Sequence, residues 1–185
     1  MLTLHFDYPS PASAVALLRL QRLADVGHDI HFLGLDALGL DVAVPPTLDQ
    51  LDELGRYHDR ALELGLPMRR PSRRPPTLSA HLVGELADRV GLGASWRWSA
   101  LRGYWASDLD LSDPGTLVEL AVDAGLDRAA VEQQLQDQIA RRALRGRMVT
   151  RRRAGIGGVP VLEADGGVFI SADLPDAELE ELAAL

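Results

Sequence analysis

Leu2-Thr3-Leu4-His5-Phe6 opens the chain with apolar residues at alternate positions, the period of a β-strand. After Pro11 the period lengthens. Val15, Leu18, Leu23 and Val26 recur near helical spacing up to Gly27, which predicts an amphipathic helix. His28 to Leu35 reads as a second strand. Strand, helix and strand in succession form a βαβ unit, so the two strands should run parallel.

The middle of the chain is helical in pattern. Thr47-Leu48-Asp49-Gln50 resembles a capping box that opens a helix running to about Gly65. Leu66 to Pro76 is a proline-rich connector. Leu78, Leu82, Leu86 and Val90 stand four apart and predict a helix over Thr77–Val90. A short helix is expected over Trp96–Ala106. Ser112-Asp113-Pro114 should start another, ending near Gly125, and Asp127 should cap one long helix from Arg128 to Arg151. Strand patterns then return at Val159–Glu163 and Val168–Ile170, around an Asp165-Gly166-Gly167 hairpin signal. A final amphipathic helix is expected from Asp176 to Leu185. With the central helices removed, the order β-α-β, β-β-α is the thioredoxin topology. The predicted fold is therefore α/β and thioredoxin-like with a large all-helical insertion. Residues 1–45 and 146–185 would form the thioredoxin-like part, and 46–145 the insertion.

Composition narrows the function. A chain of 185 residues with 46% hydrophobic and 25% charged residues suits one soluble domain with an insertion. A net charge of −8 argues against general nucleic-acid binding. No apolar run is long enough to span a bilayer, and the first residues lack a secretory pattern, so a cytoplasmic location is expected. Cysteine is absent, which removes disulfides, thiolate catalysis and thiolate metal sites. Lysine is absent too, which removes Schiff-base chemistry.

Two short segments carry candidate chemistry. Ser10-Pro11-Ala12-Ser13 lies where a strand turns into a helix. A helix N-terminus offers free N–H groups and partial positive charge, so it stabilises an anion, including a thiolate. The same residues also make an ordinary N-cap followed by proline. Gly155-Ile156-Gly157-Gly158-Val159-Pro160-Val161 allows a cis Val159–Pro160 bond, with the backbone of Val159 turned to a ligand, or a plain trans proline at a strand start.

These segments resemble the DsbA-like branch of the thioredoxin superfamily. Oxidoreductases of that branch carry Cys-Pro-x-Cys. Its 2-hydroxychromene-2-carboxylate isomerases and kappa-class glutathione transferases carry Ser-Pro-x-Ser, which Ser10-Pro11-Ala12-Ser13 is similar to. Gly155 to Pro160 resembles the stretch before the family's cis proline. Thr77-Leu78-Ser79-Ala80-His81 and Ser107 to Leu126 resemble segments of its insertion. The resemblance covers nearly the whole chain, in order. It implies that Ser10 is the catalytic hydroxyl beside the sulfur of a bound thiol. It further implies that Ser13, Val159, Pro160 and Asp173 help bind glutathione or another low-molecular-weight thiol. No metal is implied. A small, aromatic substrate is the expected partner, and kappa-type relatives suggest a homodimer.

The chain departs from that pattern as well. Ala12 and Ala14 replace aromatics, Ala172 and Leu174 replace a serine and an arginine, and an asparagine near Thr77 is absent. A thiol-dependent isomerase or transferase is one expectation. A redox-inactive, non-catalytic binding protein is the other. A cysteine-based disulfide oxidoreductase is excluded, because no sulfur nucleophile exists. Arg141 to Arg153 forms a basic helix end, expected to be a solvated face. Trp96, Trp98, Tyr104 and Trp105 are expected to be core. Of the five histidines, His81 is the one on the insertion helix that should roof a pocket, and a structural role, at the surface or buried, is the expected one.

Overall fold

A computed structural model describes residues 1–164 and 167–184 of the chain. Its strands are β1 (Leu2–Phe6), β2 (Ile30–Gly34), β3 (Val161–Ala164) and β4 (Val168–Ser171), in the spatial order β2-β1-β3-β4. β1 is buried at all five positions, as a central strand must be. β2 runs parallel to it, with Phe32 beside Leu4. β3 runs antiparallel to β1, with Leu162 beside Leu4, and pairs antiparallel with β4. The Asp165-Gly166 part of the expected hairpin turn, and Leu185, lie outside the described residues. The second strand is shorter than His28–Leu35, and the third begins at Val161, so Val159 and Pro160 precede it.

Helix α1 (Pro11–Asp25) crosses from β1 to β2 and buries Ala14 to Leu18 and Leu20. Between β2 and β3 come α2 (Leu48–Glu63), α3 (Leu78–Arg89), α4 (Gly93–Ser107), α5 (Pro114–Asp123), α6 (Arg128–Gln136) and α7 (Gln138–Arg153). The chain ends on α8 (Asp176–Ala183). Among the described residues no helix is long and apolar enough to cross a membrane.

The single helix expected over Arg128–Arg151 is two helices. Asp137 leaves helical geometry with ψ 99°, and its carboxylate accepts the N–H groups of Ile139 and Ala140 at 2.8 and 2.9 Å. The break lets the halves serve different cores. Val131 and Leu135 of α6 join the main cluster, whereas Leu144 and Met148 of α7 join a second one with Leu35, Leu78, Leu82 and Ile156. The arginine-rich end of α7 is not simply a solvated face. Arg145 pairs with Asp41, Arg147 with Glu85, and Arg151 donates to the Gly34 carbonyl at 2.8 Å. These bonds fasten α7 to α3 and to the end of β2.

Helix α4 starts at Gly93, earlier than expected, and anchors the insertion. Trp96, Tyr104 and Trp105 are at most 1% exposed, and rings of this size dominate a core. Trp98 is only partly buried, with Arg102 beside its ring. The insertion meets the sheet most tightly at Gly34. A Cβ there would lie 2.0 Å from Nδ1 of His81, whose buried ring stacks on Tyr8 at 4.9 Å and stands edge-on to Phe6. Gly34→Ala is therefore expected to cost about 1–3 kcal/mol in urea unfolding, as overpacking does. The cost should shrink in a His81→Ala background. An equal cost in both backgrounds would show that the ring is not the obstacle.

Candidate functional site

The site is built on the turn from β1 into α1. Ser10 is the N-cap, and Pro11 occupies the first turn. The Ser10 hydroxyl accepts the N–H of Ser13 at 3.1 Å, and the Ser13 hydroxyl accepts the N–H of Asp7 at 3.4 Å. Ser10 is 6% exposed and Ser13 1%. Both hydroxyls thus close the turn, and the N-cap geometry is present in full. Two carbonyls of the same turn receive donors from the insertion. Trp105 Nε1 donates to Tyr8 at 3.0 Å, and Gln50 Nε2 donates to Pro9 at 2.7 Å.

The N–H of Ala12, next in the first turn, faces a side chain that the sequence did not single out. The Glu53 carboxylate, from α2, lies close enough to that N–H and to the Ser10 hydroxyl to feel both donors. Partial burial raises its pKa, and the two donors together with the charges of Arg56 and Arg74 pull it back. An anion therefore already stands at the mouth of α1, where the helix dipole favours one. Beside it, Gln50 Oε1 and Arg74 Nε are buried without a hydrogen-bond partner among the described residues.

One helical turn beyond Glu53 on α2, Tyr57 meets Asp173, and the phenol is held protonated by burial and then by the charge of Asp173. Asp173 and Tyr57 line a cavity of about 530 Å³ with Arg56, Arg60, Arg19 and Val15. Glu53, Tyr57 and Arg60 follow at i, i+4 and i+7, so α2 presents one polar stripe from Ser10 to Asp173.

The Val159–Pro160 bond is cis. The β1–β3 register pairs His5 with Val161. Continued by one and two residues, it sets Pro160 opposite Phe6 and Val159 opposite Asp7. The cis peptide thus lies at the end of the sheet from which α1 departs. Val159 is half-buried against the second core cluster. Ser10 and Ser13 share one turn, Val159 and Pro160 share its end of the sheet, and Asp173 is joined to the turn through α2.

Asp7 ties these parts together. Its buried carboxylate accepts the Thr77 hydroxyl at 2.6 Å, His81 Nε2 at 3.1 Å and the Ala37 N–H at 2.8 Å. Thr77 stands at the start of α3 but makes no cap bond there; its hydroxyl goes to Asp7 instead. His81 therefore lies inward, as expected, yet it serves a buried carboxylate.

A mixed sheet with a helical insertion, a hydroxyl pair at the first helix and a cis X–Pro bond beside it define a thioredoxin-fold protein of the DsbA type. The DSBA-like thioredoxin domain matches residues 1–183, and the chain belongs to that family. Among solved structures it is similar to a probable DsbA oxidoreductase from Streptomyces coelicolor. The identity is 22%, with 99% of this chain and 88% of that one covered at a TM-score of 0.83. It is similar to a 2-hydroxychromene-2-carboxylate isomerase at 21% identity, covering 99% and 92% of the two chains, TM-score 0.71. A third likeness is to the cytosolic disulfide reductase DsbM from Pseudomonas aeruginosa, solved with GSH. There the identity is 17%, with 100% and 99% covered and a TM-score of 0.72. At these identities the likeness is one of fold. No curated protein matches the chain in sequence.

A second carboxylate, Asp36, shares the burial of Asp7. Its pKa is raised, first by desolvation and then by the negative charge of Asp7. The folded state thus holds that proton more tightly than the unfolded chain, whose value is near 3.8. Stability from this group falls as pH rises from there through the folded-state pKa, and the penalty persists above it. Asp36→Asn keeps an oxygen for the Gly39 N–H and loses the charge. It is expected to raise the melting temperature at pH 7.5, with the gain vanishing below about pH 4. A loss of stability at pH 7.5 would refute the repulsion.

Proposed function

We propose that this chain is a cysteine-free DsbA-family protein that binds a low-molecular-weight thiol of the glutathione type. It uses that thiol to isomerise, or to conjugate, a small unsaturated aromatic substrate. The observation that carries the reading is the polar stripe of α2 from the mouth of α1 to the Asp173 cavity. A γ-glutamyl end carries a carboxylate and an ammonium, and Arg56 and Asp173 on one cavity match both. The buried, unpartnered Gln50 Oε1 and Arg74 Nε supply an acceptor and a donor near the same helix mouth. The DsbM neighbour solved with GSH supports a thiol of this type.

A thiol held there would supply a sulfur nucleophile for addition to an unsaturated carbon, reversed in isomerisation and retained in conjugation, and neither outcome needs an oxidant. This chain's residues prepare that chemistry. Ser10 donates its hydroxyl, and Ala12 its N–H, to negative charge at the mouth of α1. Glu53 accepts a proton there, and its raised pKa makes it the stronger base. The backbone of Val159 holds the ligand's peptide, Ser13 keeps the turn in shape, and Asp173 takes the ammonium.

One observation favours a second reading, a non-catalytic binding protein. Ser10 is almost sealed, and the Glu53 carboxylate already lies near the Ala12 N–H.

Calorimetry with glutathione and a thiol-dependent absorbance assay on an aromatic enone separate the two. Saturable uptake with turnover is expected. Ser10→Ala should slow turnover roughly tenfold to hundredfold, the value of one hydrogen bond to a charged group. The rate should fall in acid as Glu53 protonates, and Glu53→Gln should flatten that limb. Stoichiometric uptake without turnover would establish the second reading, and no uptake at all would remove the thiol.

A further inference from the structure

A second cavity, of about 350 Å³, opens along the edge strand β2. It contains neither Ser10 nor any residue of α2. The half-buried Phe32 ring lines it, over the packed ring cluster of Phe6, Tyr8 and His81. Four arginines and two carboxylates line its walls. Arg147 takes both oxygens of Glu85 at 2.5 and 2.7 Å, and Arg97 takes Asp88 at 2.7 Å. Both carboxylates are thereby engaged.

The other two cations hydrogen-bond only to neutral groups among the described residues, although the charges of Glu85 and Glu163 also reach Arg151. Arg89 donates to the Gln134 amide at 3.0 Å, and Arg151 to the Gly34 carbonyl at 2.8 Å. Arg151 is the more constrained, because it is half-buried beside a like charge. Desolvation and then the neighbouring Arg147 lower its pKa. A chain of net charge −8 thus carries a concave surface on which arginines outnumber carboxylates.

From this juxtaposition of guanidinium groups that hold no carboxylate by a hydrogen bond and an aromatic floor in one cavity, we propose a binding site for a small organic carboxylate with a flat, apolar body. A guanidinium fork matches the two oxygens of a carboxylate in one plane. The ring floor matches a flat apolar body, which a tetrahedral inorganic anion lacks. The volume lies in the range of small-molecule sites, roughly 300–1,000 Å³. The site does not depend on the thiol reading.

The test is calorimetric or ligand-observed NMR titration of the full chain with benzoate, beside benzamide and inorganic phosphate. Benzoate should bind saturably, with a dissociation constant on the order of 1 mM or tighter. Benzamide and phosphate should each bind at least about tenfold more weakly, since one lacks the charge and the other the ring. Arg151→Gln should weaken benzoate by about tenfold. Arg151 also ties α7 to β2, so Arg89→Gln, at an exposed position, provides a second variant; about a threefold loss is expected there. Saturating glutathione should leave benzoate uptake unchanged. Equal affinity for benzamide, equal affinity for phosphate, displacement by glutathione, or undiminished affinity in both variants would each overturn the assignment.

Discussion

The buried carboxylate of Asp7 is the constraint on which the rest of the structure depends. A charge taken out of water persists only where donors replace its hydration. Three donors do so, and they come from two separate segments: the Ala37 N–H from the loop after β2, and Thr77 and His81 from the first turn of α3. Satisfying Asp7 therefore fixes the insertion against the sheet. The same residue's backbone forms the turn into α1, accepting from the Ser10 N–H and donating to the Ser13 hydroxyl. The position of α3 and the shape of the helix mouth are thus set by one residue.

Much of the framework was legible from pattern alone. Caps at Thr47, Asp113 and Asp127 each accept the N–H three residues on. The parallel βαβ unit and the returning antiparallel pair followed from period and order. The break at Asp137 did not, because an aspartate among polar residues looks like any exposed helical position. It acts as a cap only because two cores lie in different directions. The site divided in the same way. Ser10 and Val159–Pro160 stand out as local motifs. Glu53 and Tyr57 do not, since on an amphipathic helix they belong to the polar face. They reach α1 and Asp173 only through the packing of α2 on α1. Thr77 begins α3, yet its hydroxyl goes to Asp7 rather than to the helix end.

The basic end of α7 shows how one residue type acts in two ways. Cations near a helix C-terminus complement its dipole. Guanidinium groups also reach beyond their own helix, and several here end on backbone carbonyls, as Arg151 does on Gly34 and Arg152 on Asp36. A long planar donor can satisfy an edge-strand carbonyl that no neighbouring strand covers. The outcome is a sheet edge closed by side chains, with a lined hollow between them.

The presence of Glu53 at the mouth of α1 has a wider consequence. Cysteine at such a position ties a protein's state to the electron balance of its compartment. A carboxylate has no accessible oxidation state, and its condition follows proton activity alone. With Glu53 there, the state of this helix end follows acidity and is indifferent to oxidants.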